Sequence, residues 1–111
     1  VRATLAAITA WQQGDTAQRR TMRGIHHLVA SGHTSWHGFA STIFQKAHAC
    51  GLIERAPRVV AITTAEFPTP AKRPAWSVLD NTGFQRQFGY PLPDWQDGLN
   101  DVIQTLSHQV R

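Results

Sequence analysis

Residues 66–95 read Glu66-Phe67-Pro68-Thr69-Pro70-Ala71-Lys72-Arg73-Pro74-Ala75-Trp76-Ser77-Val78-Leu79-Asp80-Asn81-Thr82-Gly83-Phe84-Gln85-Arg86-Gln87-Phe88-Gly89-Tyr90-Pro91-Leu92-Pro93-Asp94-Trp95. Pro68 and Pro70 can neither donate to a sheet ladder nor sit inside a helix, so the approach to Arg73-Pro74 is a linker. Residues 75–79 read as extended. Asp80 or Asn81 can cap a short helix that carries Phe84 and Phe88, and Gly89 ends it. Pro93 or Asp94 opens a last helix on which Trp95, Leu99, Val102 and Leu106 line one stripe. Asp94, Asp97 and Asp101 crowd the start of that helix, where at least the first two oppose the positive end of its dipole.

Upstream, Leu5, Ile8 and Trp11 recur at helical spacing between Ala3 and about Gln13, and Gly14-Asp15 supplies a stop. Residues 15–23 are polar and charged and read as a connection between two elements. Ile25 to Ala30 then reads as a buried strand closed by Ser31-Gly32, with His26 and His27 interrupting its apolar character. Thr34 or Ser35 can cap a helix that gathers Phe39, Ile43, Ala47 and Cys50 on one face, with Gly51 as its stop. Val59 to Thr64 is β-branched and predicts a second strand. The order helix, strand, helix, strand, strand, helix, helix predicts a mixed α/β unit spanning residues 1–111 as one piece.

A chain of 111 residues with 41% hydrophobic side chains suits one unit with a modest core. It begins at Val1 with no basic segment leading into an apolar one, which predicts a piece of a longer chain and not a secreted precursor. No apolar run approaches the roughly 20 residues a bilayer crossing needs, so the expectation is a soluble protein with no membrane partner. The lone Cys50 can form neither an internal disulfide nor a cysteine zinc site, and a reducing cytoplasm is the expected location. The formal charge of +4 is small, and its arginines lie scattered in polar segments such as Arg19, Arg20 and Arg23. That distribution predicts a solvated surface and no nucleic-acid partner.

The K-R-P-A-W-S-V-L-D segment with its proline-rich approach and Pro93-Asp94-Trp95, preceded by Gly24-Ile25-His26-His27-Leu28-Val29-Ala30-Ser31-Gly32-His33-Thr34-Ser35-Trp36, resembles the C-terminal part of the dTDP-4-dehydrorhamnose reductases. These are extended short-chain dehydrogenase/reductases with an NAD(P)-binding Rossmann-like fold. The resemblance implies that residues 1–111 are the C-terminal, substrate-binding portion of such an α/β enzyme, lacking its N-terminal nucleotide-binding part. For the intact enzyme it implies reduction of dTDP-6-deoxy-L-lyxo-4-hexulose to dTDP-L-rhamnose by NADPH or NADH. Dinucleotide binding needs a glycine-rich turn, and none of the eight glycines forms G-x-G-x-x-G. The family's Tyr-x-x-x-Lys pair is absent too, since the only tyrosine is Tyr90 and the position four on is Asp94.

No catalytic and no cofactor-binding residue is therefore expected here, no cofactor is expected to bind this portion, and the portion alone is expected to be inactive. The partners implied are a dTDP-sugar and the absent nucleotide-binding domain. A strand at Ile25 to Ala30 without its sheet neighbours also predicts self-association, seen in sedimentation as a mass above 12.3 kDa. An alternative reading is a non-catalytic, reductase-like interaction or regulatory module, distinguished by whether an upstream Tyr/Lys pair exists.

Within that resemblance, Arg73 is the candidate substrate contact, because a guanidinium fork suits the diphosphate of a dTDP-sugar. The alternative is that it pairs with a carboxylate or packs structurally between elements. Ser77 can donate to a sugar or phosphate oxygen, or simply to the local backbone. Trp76 can stack on the thymine ring, whereas Trp36 and Trp95, at helix starts, are expected to anchor a core or an interface. Asp80 is expected as a helix cap and not a reactive acid, and Cys50 as a small buried hydrophobe. His33 and His37 have a four-residue separation but lack the glutamate of H-E-x-x-H, so no metal site is expected. The family often carries glutamate where this chain has His33, and a role tied to that carboxylate does not transfer.

Overall fold

Caps decide where the helices of this chain begin and end. The computed structural model describes residues 1–109, which hold α1 (Arg2–Gln13), α2 (Thr16–Met22), α3 (Trp36–Ala49), α4 (Thr82–Phe88), α5 (Trp95–Gln109) and a 3-10 turn at Thr64–Glu66. They divide into two units, Val1–Ser31 with Val78–Asp94 and Gly32–Ser77 with Trp95–Arg111. Among the described residues no helix is long and apolar enough to cross a membrane.

In the first unit α1 ends at Gly14, whose N–H donates to the Ala10 carbonyl at 2.9 Å. Asp15 immediately opens α2. Its carboxylate accepts from the Gln18 N–H at 2.8 Å, and the Gln18 carboxamide accepts from the Asp15 N–H at 2.8 Å, which satisfies two otherwise orphaned donors. The connection expected over residues 15–23 is thus largely a helix. Arg19 on α2 reaches back to the last carbonyls of α1, donating to Trp11 at 2.8 Å and to Gln12 at 3.0 Å. On α4, Phe84 is buried with its ring 4.8 Å from that of Phe88, and the His26 ring meets Phe88 edge-on at 5.2 Å. Gly89 ends α4 at φ 63°, a left-handed geometry that glycine adopts without strain.

The strand expected over Ile25–Ala30 is not observed. A strand exists only where another backbone runs beside it, and among the described residues the neighbour here is one side chain. The Val29 N–H donates to the Asn81 carboxamide oxygen at 3.2 Å, and the Asn81 nitrogen donates to the Val29 carbonyl at 2.9 Å. Ser31 then donates its N–H to Pro93 and its hydroxyl to Leu92, both at 2.8 Å, and forms an isolated parallel bridge with Asp94. Val59–Thr64 is no strand either, because β-branching favours a pleated surface without supplying a partner for it. Residues 75–79 likewise carry no ladder. The mixed α/β order expected from the pattern is replaced, among the described residues, by helices joined through irregular segments.

In the second unit, Ser35 caps α3 by accepting from the Gly38 N–H at 3.0 Å. Gly51, at φ 75°, turns the chain out of the helix, and the Leu52 N–H closes back on Ala47 at 2.9 Å. Ala47 on α3 packs with Leu99 and Ile103 on α5, and Phe39, Ile43, Cys50, Leu52, Ile53 and Trp95 surround them. Here the expected stripe is corrected. Trp95, Leu99 and Ile103 follow each other at four-residue intervals onto α3, while Val102 stays 54% exposed on the flank, where with Leu106 it borders an open apolar groove. Ile103→Ala is expected to lower unfolding stability by about 2–4 kcal/mol and Val102→Ala by less than about 1 kcal/mol, compared by urea denaturation. Equal losses would contradict the packing.

Candidate functional site

The segment between the 3-10 turn and Ser77 is pinned at its start and open along its length. Thr63 and Glu66 lock the turn, since the Glu66 carboxylate accepts from the Thr63 N–H at 2.6 Å and from its hydroxyl at 2.8 Å. Those bonds, the backbone one first, hold the Glu66 carboxyl below its ordinary value, because they favour the charged form. Beyond it the Thr69 hydroxyl donates to the Ala71 carbonyl at 2.8 Å, and Pro70 and Pro74 restrict the backbone further.

Lys72, Arg73, Trp76 and Ser77 are all exposed on this segment. Among the described residues no carboxylate pairs with Arg73, and the Ser77 hydroxyl makes no hydrogen bond. The structural pairings weighed for these two side chains are not found there. Trp76 is 67% exposed and touches one ring, that of His33, with centroids 5.3 Å apart and planes at 59°. A guanidinium, an indole and a hydroxyl are recognition groups: together they suit an anion joined to a planar ring. They do not by themselves move a hydride.

The other candidates fall elsewhere. Trp95 packs in the α3–α5 core, its ring 5.7 Å from Phe39, as expected of an anchor. Trp36, in contrast, is 88% exposed at the first turn of α3, so it is no core anchor: the turn faces solvent before the buried face begins. Cys50 is half-buried with its thiol toward the Ala47 carbonyl at 3.4 Å. Among the described residues no group of three or more His, Cys, Asp or Glu could hold a metal ion. Two residues that pattern reading missed are Asn81, whose carboxamide serves the Val29 backbone and not its own helix, and His33, which meets Trp76. Neither contact leaves a local sequence signal, since each joins distant segments.

Asn81 holds the N-cap position of α4 without a side-chain cap bond, and Asp80 one residue earlier supplies the capping interaction: its carboxylate accepts from the Thr82 hydroxyl and from the Thr82 N–H. The hydroxyl bond chiefly, then the backbone bond, with Arg86 and His27 adding, lowers its carboxyl below the ordinary value. A lowered folded-state value means that the charged cap stabilises above the ordinary carboxylate value, and that this contribution fades as pH falls through the lowered one. Asp80→Asn is therefore expected to flatten the acid limb of the stability–pH curve in that window, with NMR titration showing the wild-type Asp80 carboxyl titrating low. An ordinary midpoint for Asp80 would contradict the cap.

The family model described as the RmlD substrate binding domain matches residues 2–108. The chain is 37% identical over 102 residues to the dTDP-4-dehydrorhamnose reductase of Shigella flexneri, a match covering 92% of this chain and 34% of that protein. It is 47% identical over 79 residues to the enzyme of the same name from Aggregatibacter actinomycetemcomitans, covering 71% of this chain and 27% of that one. The spore coat polysaccharide biosynthesis protein SpsK of Bacillus subtilis (strain 168) is 31% identical over 84 residues, 76% of this chain and 27% of its own. No solved structure matches. The chain spans about a third of the length of the first of these relatives. Since the family match runs from the first residue of α1 to within one residue of the end of α5, the chain belongs to the RmlD substrate binding domain family.

Proposed function

We propose that this chain is the substrate-binding portion of a dTDP-4-dehydrorhamnose reductase and that it holds a dTDP-sugar through Arg73, Trp76 and Ser77. The observation that carries the reading is Arg73, exposed and without a carboxylate partner among the described residues, three residues before the open indole of Trp76, in a chain whose relatives bear that reductase's name. The intact enzyme would reduce dTDP-6-deoxy-L-lyxo-4-hexulose to dTDP-L-rhamnose. NADPH or NADH would supply the hydride from a nucleotide-binding portion outside this chain, which would also carry the Tyr/Lys pair that protonates the sugar oxygen.

The work left to residues 1–111 is recognition. Arg73 would span diphosphate oxygens with its donor fork, Ser77 would donate to a phosphate or sugar oxygen, and Trp76 would give the thymine a face to lie on. Binding energy collected on these remote parts of the substrate orients its keto carbon toward the cofactor, although none of the three groups touches the bond that changes. The reducing cytoplasm is the location that the lone Cys50 thiol supports. Ile25, 93% exposed on a segment without a ladder, supports self-association of the isolated chain.

Calorimetric titration of thymidine diphosphate into the chain tests the reading. Arg73→Ala is expected to weaken binding about tenfold or more, as loss of a charge-assisted contact does. The chain alone is expected to leave NADPH unoxidised in the presence of the keto-sugar. Unchanged affinity in the arginine variant would remove Arg73 from the site, and turnover by the chain alone would overturn the division of labour.

A further inference from the structure

Trp76 is an odd residue to leave on a surface. An indole has a large apolar area, and 67% of this one is exposed. A side chain so open ordinarily samples several rotamers, and a ligand that stacks on it must first stop that motion. Among the described residues one aromatic neighbour opposes the motion. The imidazole of His33 lies 5.3 Å from the indole centroid to centroid, at 59° between planes, a tilted arrangement within the range in which aromatic rings attract.

His33 itself stands on firm backbone. Gly32, at φ 78°, makes the turn that leads into it, and Ser35, two residues on, is fixed as the cap of α3 by its bond to the Gly38 N–H. His33 thus stands three residues before α3, on the short segment between the Gly32 turn and the Ser35 cap. Arg73 is only three residues before Trp76, a reach of at most about 10 Å. The imidazole, the indole and the guanidinium belong to the same unit.

We propose that His33 is a positioning residue for nucleotide recognition: its ring braces Trp76 so that the indole presents a settled face to the planar base of a nucleoside diphosphate whose phosphates meet Arg73. This rests on the assignment of Arg73 and Trp76 to the substrate site and adds to it a residue from a different segment. His33 touches the base only through Trp76. Its effect is therefore confined to the part of binding that depends on the base, and the diphosphate part is indifferent to it. The chain has a histidine ring at position 33 and places a tryptophan in position to meet that ring.

The distinction gives the test. Affinities of thymidine diphosphate and of inorganic pyrophosphate are measured by calorimetry for the wild-type chain and for His33→Ala, His33→Phe and Trp76→Ala, with far-UV circular dichroism confirming unchanged helix content. Wild type is expected to prefer thymidine diphosphate over pyrophosphate, and Trp76→Ala to abolish the preference. His33→Ala is expected to cut it about two- to tenfold, the worth of one aromatic pair, while pyrophosphate binds as before. His33→Phe, which keeps a ring, is expected to restore it. If His33→Ala keeps the full preference while Trp76→Ala loses it, the brace is overturned and the site stands. If both variants keep it, or wild type has none, the brace and the base-stacking role of Trp76 are both overturned. Parallel weakening of both ligands in His33→Ala would make His33 a general support of the segment and would equally overturn the proposal.

Discussion

The Asn81 carboxamide accepts from the Val29 N–H and donates to the Val29 carbonyl, and the arrangement of the first unit follows from that exchange. An amide side chain offers one acceptor and two donors in a plane, the same groups a neighbouring strand would present. Asn81 is buried, with only 9% of its surface exposed, so its polar atoms need these partners. The commitment has a local consequence: Asn81, the residue preceding α4, is unavailable as its cap, and Asp80 one step earlier takes over that task. Ser31, bonded to Leu92 and Pro93, ties the end of the same segment. Between them these contacts join residues 29–31 to both ends of the stretch from Asn81 to Asp94.

The second unit solves a different problem. Its apolar core is small, three buried side chains with a ring of half-buried ones, and it needs only two helices. What it holds at its surface is the segment carrying Arg73, Trp76 and Ser77, pinned by the Thr63–Glu66 lock and stiffened by prolines. Such a segment carries exposed donors and an aromatic face.

The helix boundaries were legible because caps are local. Ser35, Gly51 and Gly89 stand within a few residues of the backbone groups they serve, so their residue types announce them. The Asp15-x-x-Gln18 spacing announced α2 equally well, but an eye set on apolar periodicity passes over a polar helix. Strands were misread at Ile25–Ala30 and Val59–Thr64 because a ladder is a property of two segments and only one is visible in a local pattern. The choice between Val102 and Ile103 was ambiguous for a related reason: both fit a helical period, and only the position of α3 decides which is buried. At the candidate site, Arg73, Trp76 and Ser77 stood out by resemblance, whereas His33 did not, since its meeting with Trp76 spans α3 and the loops beyond it.

If Arg73, Trp76 and Ser77 hold the nucleotide, its recognition is concentrated on one exposed segment. The most direct measurement is a backbone and indole chemical-shift map of the chain during addition of thymidine diphosphate. Shifts are expected to cluster at Arg73 to Ser77 and at His33, with the Trp76 indole signal among the largest and the α1–α2 region unmoved. Shifts concentrated on Arg19, Arg20 and Arg23, or spread evenly over the surface arginines, would contradict it.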